Sequence, residues 1–396
     1  GLRTDHLRCC GYMKVITPQI DELSRESVLF KNCFSQSPFS ISSFCSIFAS
    51  SLPTKSVTKI GSKALLSGKP MATIEILKTH NYNKIAFFSS GINIFEEFGF
   101  DKKLFNKEVN SNKLEFEDLI EGVIEWIRRN KNHNFFVFLN SPSRFSLMVS
   151  DDYLDKVDEH YESRIGNWED WEDYFSKIKK GTIEYTQNDL QLIINLYDAE
   201  IMYLDEKLAP LFNFLKDNNL YDDCIIILTS DHGFGLGEHG TIGYEQGMFY
   251  DEDLKVPLLI KFPNSLFKGR VVESLVRSID IMPTVFDLVG IEKLGYFEGE
   301  SLIPLAKGEE IDDLYVVSQG GDLKDFPISS LRTNKWKWCN GKLFDLERDP
   351  GEKVDVSKEN KEIYEFLESK LKKVINSNKF LNQEGLKIEK SKTTMN

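Results

Sequence analysis

An aspartate and a histidine stand side by side at Asp231 and His232, followed by a loop with glycines at 233, 235, 237 and 240. One hard carboxylate oxygen and one imidazole nitrogen make a donor pair suited to Mg, Ca, Mn or Zn. The apolar, β-rich run CIIILTS (224–230) comes immediately before them. The pair therefore falls just past the carboxyl end of a buried strand, where open α/β sheets place their ligand sites. The glycines would let the backbone that follows approach a ligand closely. On an ordinary surface an Asp-His dipeptide carries no meaning; here it reads as half of a divalent-metal site. His239 follows Glu238 in the same loop, and the two are read as an imidazole turned inward with the carboxylate orienting it. Arg3 and Asp5 are spaced for a structural ion pair. His6, His80, His133 and His160 have no partner at ligand spacing and are assigned to the surface or to a satisfied core.

Such residues need a rigid scaffold, and the chain alternates the two kinds of element that build one. KIAFFSS (84–90), NFFVFLN (134–140), CIIILTS (224–230) and VPLLIKF (256–262) are apolar runs of the kind found in buried strands. LEFEDLIEGVIEWIRRN (114–130) and the long stretch 188–218 carry apolar residues at three-to-four spacing, which predicts amphipathic helices. SIDIMPTVFDLVG (278–290) reads as a helix closed by Gly290. Alternation of this sort predicts an α/β fold with a large, mostly parallel sheet flanked by helices. From about residue 311 the texture changes to short strands (YVVSQ, ISSLRT, KWKWCNGKLFDL) followed by the helix KEIYEFLESKLKKVI (361–375), a small antiparallel sheet with one helix. The expected organisation is an α/β domain over 1–310, an α+β subdomain over 311–383 and a polar tail over 384–396. The acidic segment 151–176, with Trp168, Trp171 and Tyr174, reads as an insertion whose aromatic residues serve core packing or a homo-oligomer contact rather than a substrate lid.

Composition narrows the function classes. The 396 residues carry 49 Lys and Arg against 62 Asp and Glu, a formal charge of −13, with no long basic run. A surface of that sign repels a polyanion, so nucleic acid is excluded as a partner. No stretch reaches the roughly 18 apolar residues of a membrane span, and no secretory leader opens the chain. Six cysteines lack both zinc-type pairing and the density of a disulfide scaffold, which points to a reducing, cytoplasmic setting.

Taken together, the ordered blocks YDAEIMYLDEKL (197–208), DDCIIILTSDHGFGLGEHG (222–240), FYDEDLKVPLLIKFP (249–263), DIMPTVFDLVGI (280–291), LRTNKWKW (331–338) and LFDLERDPGE (343–352) resemble the sulfatase branch of the alkaline phosphatase superfamily, together with its phosphonate monoester hydrolase relatives. LRTDHLRCCGY (2–12), TPQIDELSRESVLFKNCFSQSP (17–38) and FGFDK (98–102) resemble the family's amino-terminal half, so the similarity runs from Leu2 to about residue 375.

The resemblance implies an alkaline-phosphatase-like fold and a mechanism. A divalent metal, calcium foremost with Mg, Mn or Zn as alternatives, polarises a sulfate or phosphate oxygen while a nucleophile at a helix tip attacks. That nucleophile is a formylglycine made from Cys or Ser, or an unmodified hydroxyl, within the pattern Pro-x-Cys/Ser-x-Pro-Ser-Arg. Here Pro38-Phe39-Ser40-Ile41-Ser42-Ser43-Phe44 puts Ser40 in that place, on a helix whose free N–H groups would face an anion. The plainer reading is that Ser40 only caps that helix. Three departures stand out: Phe44 replaces the Arg, Ser42 replaces the Pro of the modification motif, and Asn140-Ser141-Pro142-Ser143 replaces an expected Asp-Pro-His. Tyr244 also stands where a Lys or His is common. The family's opening strand, with its metal-binding Asp residues, is absent before Gly1, which reads as an amino-terminal truncation. The resulting expectation is a metal-dependent hydrolase of a small anionic ester, with Asp231 and His232 as ligands and Ser40 and His239 as catalytic residues. Two rivals remain open, a transferase of the same superfamily and a catalytically degenerate anion-binding protein.

Overall fold

The computed structural model describes residues 1–60, 63–66, 69–88, 99–100, 116–141, 151–157, 176–177, 182, 184–243, 249–311, 314–320 and 328–376. Expectations placed on Pro142, Ser143, His160, Trp168, Trp171, Tyr174, Tyr244 and the tail 384–396 lie outside those residues. In chain order the main strands are β1 (Val28–Phe34), β2 (Tyr82–Phe88), β3 (Asn134–Asn140), β4 (Ile226–Thr229), β5 (Lys255–Val256), β6 (Leu258–Lys261) and β7 (Val271–Arg277). The carboxyl-terminal strands are β8 (Val316–Gly320), β9 (Ile328–Arg332), β10 (Trp336–Cys339) and β11 (Lys342–Asp345). The helices that bear on the site are α1 (Pro18–Arg25), α2 (Ser40–Ala49), α3 (Phe116–Asn130), α4 (Gln187–Asp217), α5 (Ile281–Leu288) and α6 (Lys361–Asn376).

Strand β1 organises the main sheet because its alternate side chains serve two layers. Val28 and Phe30 pack with Phe44 and Phe48 of α2 and Phe286 of α5. Leu29 points the other way, into a cluster with Ile20 of α1 and Leu196 and Tyr197 of α4. Period-two alternation thus places helices on both faces, as the sequence pattern requires. Helix α4 opens with a capping box, Thr186 accepting from the Asp189 N–H while the Asp189 carboxylate accepts from the Thr186 N–H. It continues through Pro210 to a length of 31 residues.

Strand direction differs from the expectation of a mostly parallel sheet. The order is β7-β1-β6-β4, with β5 also against β1. β1 runs parallel to β7, but antiparallel to β5 and β6, and β6 is antiparallel to β4. A separate parallel pair joins β2 and β3, linked through α3. An apolar run reports burial on both faces and carries no mark of direction, which is why the sequence reading overestimated the parallel share. The carboxyl-terminal sheet is antiparallel in the order β8-β9-β10-β11, and Leu367 and Leu371 of α6 pack on Val317, Leu331 and Leu343 from it. Among the described residues no helix is long and apolar enough to cross a membrane.

Candidate active site

Helix α2 starts at Ser40, directly after Phe39, whose extended backbone (φ −119°, ψ 128°) forms the cap without a side-chain cap bond. Ser40 is therefore the first helical residue and does not cap the helix. The first N–H groups of a helix have no partner within it and, with the helix dipole, face outward as an anion cradle. Phe39, Ser40, Ile41 and Ser42 are all partly exposed there, whereas Ser43 through Ala49 are buried.

Strand β4 delivers Ser230, Asp231 and His232 to the same place. Ser40 Oγ lies 3.1 Å from His232 Nε2, and that nitrogen lies 3.5 Å from Asp231 Oδ2. His232 Nδ1 donates to the Gly233 carbonyl at 2.7 Å, leaving Nε2 free of a proton when the ring is neutral and turned toward Ser40 and Asp231. The strand end is stitched to its neighbours by hydroxyls: Ser35 Oγ from the end of β1 and Ser43 Oγ from α2 both donate to the Asp231 carbonyl, at 2.5 and 2.6 Å. Ser230 Oγ donates to the His232 carbonyl at 2.8 Å. Ser43 is the Ser of the nucleophile pattern, and its contact shows what that position does; Ser35 and Ser230 carried no signal in the sequence.

Electrostatics favour an ionised Asp231 beside a neutral His232. Burial alone would raise the Asp231 carboxyl, but His232, the Gly1 ammonium and the Ser40 hydroxyl overcome it and hold the group well below the usual carboxylate range. Burial lowers the His232 imidazole, opposed by Asp231 and reinforced by the Gly1 ammonium. The Gly1 nitrogen sits 2.9 Å from Asp231 Oδ1. Carboxylate oxygens, an unprotonated imidazole nitrogen and a hydroxyl are donors a divalent ion accepts. These residues fit such an ion as part of its shell; among the described residues no group of three His, Cys, Asp or Glu side chains completes it.

The other residues singled out from sequence fall differently. Arg3 holds Asp5 with two hydrogen bonds, Nε–Oδ1 at 2.9 Å and Nη2–Oδ2 at 2.7 Å, as expected. His6 is buried and satisfied, its Nδ1 2.7 Å from Asp198 Oδ1. The pairing of His239 with Glu238 is corrected. Glu238 accepts from Arg3 Nη1 at 2.8 Å and from the Leu236 N–H at 2.7 Å, while His239 turns to Glu252 and to the Glu352 carbonyl. Both ring nitrogens of His239 are engaged there. Phe44, in the place of the family's Arg, is 4% exposed and meets Phe138 of β3 edge to face, with centroids 5.6 Å apart. Phe48 meets the same ring at 5.1 Å.

Helices cover both faces of a sheet, and carboxylate, imidazole and hydroxyl converge where a strand ends beside a helix tip, the arrangement that the resemblance predicts. The comparisons with known proteins narrow this: residues 1–291 match the sulfatase family, and 237–379 match the carboxyl-terminal region of N-sulphoglucosamine sulphohydrolase. The chain belongs to the sulfatase family. It is 30% identical over 182 residues to choline-sulfatase of Rhizobium meliloti, an alignment covering 44% of this chain and 35% of that protein. The chain spans less than half the length of the curated relatives it matches. Its fold is similar to that of a protein solved with its substrate D-glucosamine-2-N,6-O-disulfate, with a TM-score of 0.72, 19% identity and coverage of 95% and 96% of the two chains. Phosphonate monoester hydrolase of Agrobacterium radiobacter superposes with a TM-score of 0.68, 19% identity and coverage of 95% and 94%.

Proposed function

We propose that this chain is a metal-dependent hydrolase of sulfate esters, or of related phosphate and phosphonate esters, with Ser40 or a formylglycine made from it as nucleophile. The observation that carries the reading is the convergence of Ser40, His232 and Asp231 within hydrogen-bonding reach of one another at the open tip of α2. Asp231 and His232 would hold the divalent ion, calcium foremost, and an ion there would draw charge from the ester's anionic oxygens. The N–H groups at the start of α2 bind those oxygens from the other side. Hydrogen bonding to Gly233 fixes the His232 ring with its unprotonated Nε2 facing Ser40 Oγ, and Nε2 is the nitrogen through which His232 would hold the ion.

A small anionic ester fits this site, and the structural neighbour solved with a sulfated glucosamine makes sulfated sugars the first class to test. The buried Phe44 favours a second reading, a degenerate anion-binding member, because the position of the family's Arg contributes packing in place of charge.

Hydrolysis of 4-nitrophenyl sulfate, 4-nitrophenyl phosphate and a phenylphosphonate ester, each with Ca, Mg, Mn or Zn, separates the readings. The hydrolase reading expects metal-dependent turnover that falls at least about 10³-fold in Ser40→Ala. Turnover that survives the substitution removes Ser40 from the mechanism, and binding of the ester without any turnover supports the degenerate reading.

A further inference from the structure

His239 adopts a left-handed backbone (φ 52°, ψ 21°), a conformation that costs energy for any residue with a Cβ and persists only where the surroundings impose it. Its ring lies flat on Tyr250, centroids 3.5 Å apart and planes 3° from parallel. The partners of its two nitrogens define their protons. Nε2 lies 3.2 Å from the Glu352 carbonyl oxygen, which can only accept, so Nε2–H donates. Nδ1 lies 2.6 Å from Glu252 Oε1.

Glu252 belongs to the short turn Asp251–Leu254, which faces two ways. Toward the site, the Glu252 carbonyl accepts from the Phe234 N–H and the Asp253 carbonyl from the Gly233 N–H, both at 2.8 Å. The approach is so close that a Cβ on Gly233 would come within 1.9 Å of the Glu252 oxygen. Toward the carboxyl-terminal sheet, Asp251 takes Lys337 Nζ of β10 at 2.9 Å and Arg332 Nη2 of β9 at 3.1 Å. The Asp251 N–H donates to Glu352 Oε2 at 2.7 Å, and Lys337 Nζ lies 2.6 Å from Glu352 Oε1. Lys337 and Glu352 are fully buried, which makes this seam rigid.

From these contacts we infer that His239 is a positioning residue whose ring pins the Asp251–Leu254 turn to the Glu352 loop, and thereby fixes the Gly233–Phe234 backbone that aims Asp231 and His232. The inference rests on the reading of those two residues as the site.

Side-chain ¹⁵N–¹H spectra of the histidines, recorded on the full chain and on His239→Gln and Glu252→Gln, test this without reference to turnover. The expected result is displaced His232 ring signals in His239→Gln. Glu252→Gln keeps an oxygen for Nδ1 and leaves the His232 signals closer to the parent's than His239→Gln does. If the chain turns over a substrate, His239→Gln lowers kcat by about 10- to 100-fold with KM nearly constant. Unchanged His232 signals in His239→Gln overturn the inference. Absence of turnover in every variant, with the spectra as expected, counts against the proposed function and not against the pin.

Discussion

The tip of α2 separates two corners of opposite chemistry. On one side Ser40, Asp231 and His232 keep hydroxyl, carboxylate and imidazole together, tied down by Ser35, Ser43 and Ser230. On the other, one and two turns along the same helix, Phe44 and Phe48 press edge-on against Phe138 of β3, near the point where β3 ends at Asn140. Phe44 stands where the family's pattern has an Arg, and edge-to-face rings there contribute about 0.5–1.5 kcal/mol beyond their burial. In the polar corner hydroxyls are bonded instead to the backbone just past β4.

The largest expected effect tests whether the aromatic corner is truly core. Phe44→Ala should destabilise the chain by about 3–5 kcal/mol in urea unfolding. Phe44→Arg should destabilise it comparably and raise no turnover, since the position points into packed rings and not into the cleft. If Phe44→Arg is as stable as the parent and increases turnover, the two corners are one anion pocket and the contrast fails.

A smaller effect sharpens the comparison from within the polar corner. Behind His232 and Gly233, Asp253 is buried, and burial followed by the neighbouring Glu252 pushes its carboxyl up to about 8, against Lys337 and Arg3. The folded value lies above the unfolded one, so this group's contribution is fully present below the ordinary carboxylate range and is lost as pH rises through about 8. Asp253→Asn should therefore flatten the decline in Tm between pH 5 and pH 9 and leave the variant about 1–2 kcal/mol more stable than the parent at the upper end. A parent whose Tm does not decline over that range would show that Asp253 finds a partner that the static contacts do not reveal.

The grouping of Ser40 with Asp231 and His232 was legible in the sequence and its support was not. Asp231 and His232 could be read because a buried strand, a polar end and a glycine loop follow one another within a few residues, and Ser40 because its helix starts where the family's pattern places it. The partner of His239 was misread because adjacency favoured Glu238, while the true partners come from the turn at 252 and the loop at 352, brought near only by the fold. Phe44 showed the loss of a charge, but its contact with Phe138 joins distant parts of the chain. Strand direction escaped for a similar reason, since Leu258–Lys261 reads alike whether its neighbours run with it or against it.

The account stands on Ser40 and Asp231 acting as one unit. The direct measurement is a double-mutant cycle on 4-nitrophenyl ester hydrolysis with saturating divalent ion, using Ser40→Ala, Asp231→Ala and the pair. The expected result is that either single substitution removes nearly all turnover and the second adds less than about tenfold, as non-additive residues of one site do. Losses that multiply, or a single variant that keeps the parent's rate, would contradict it.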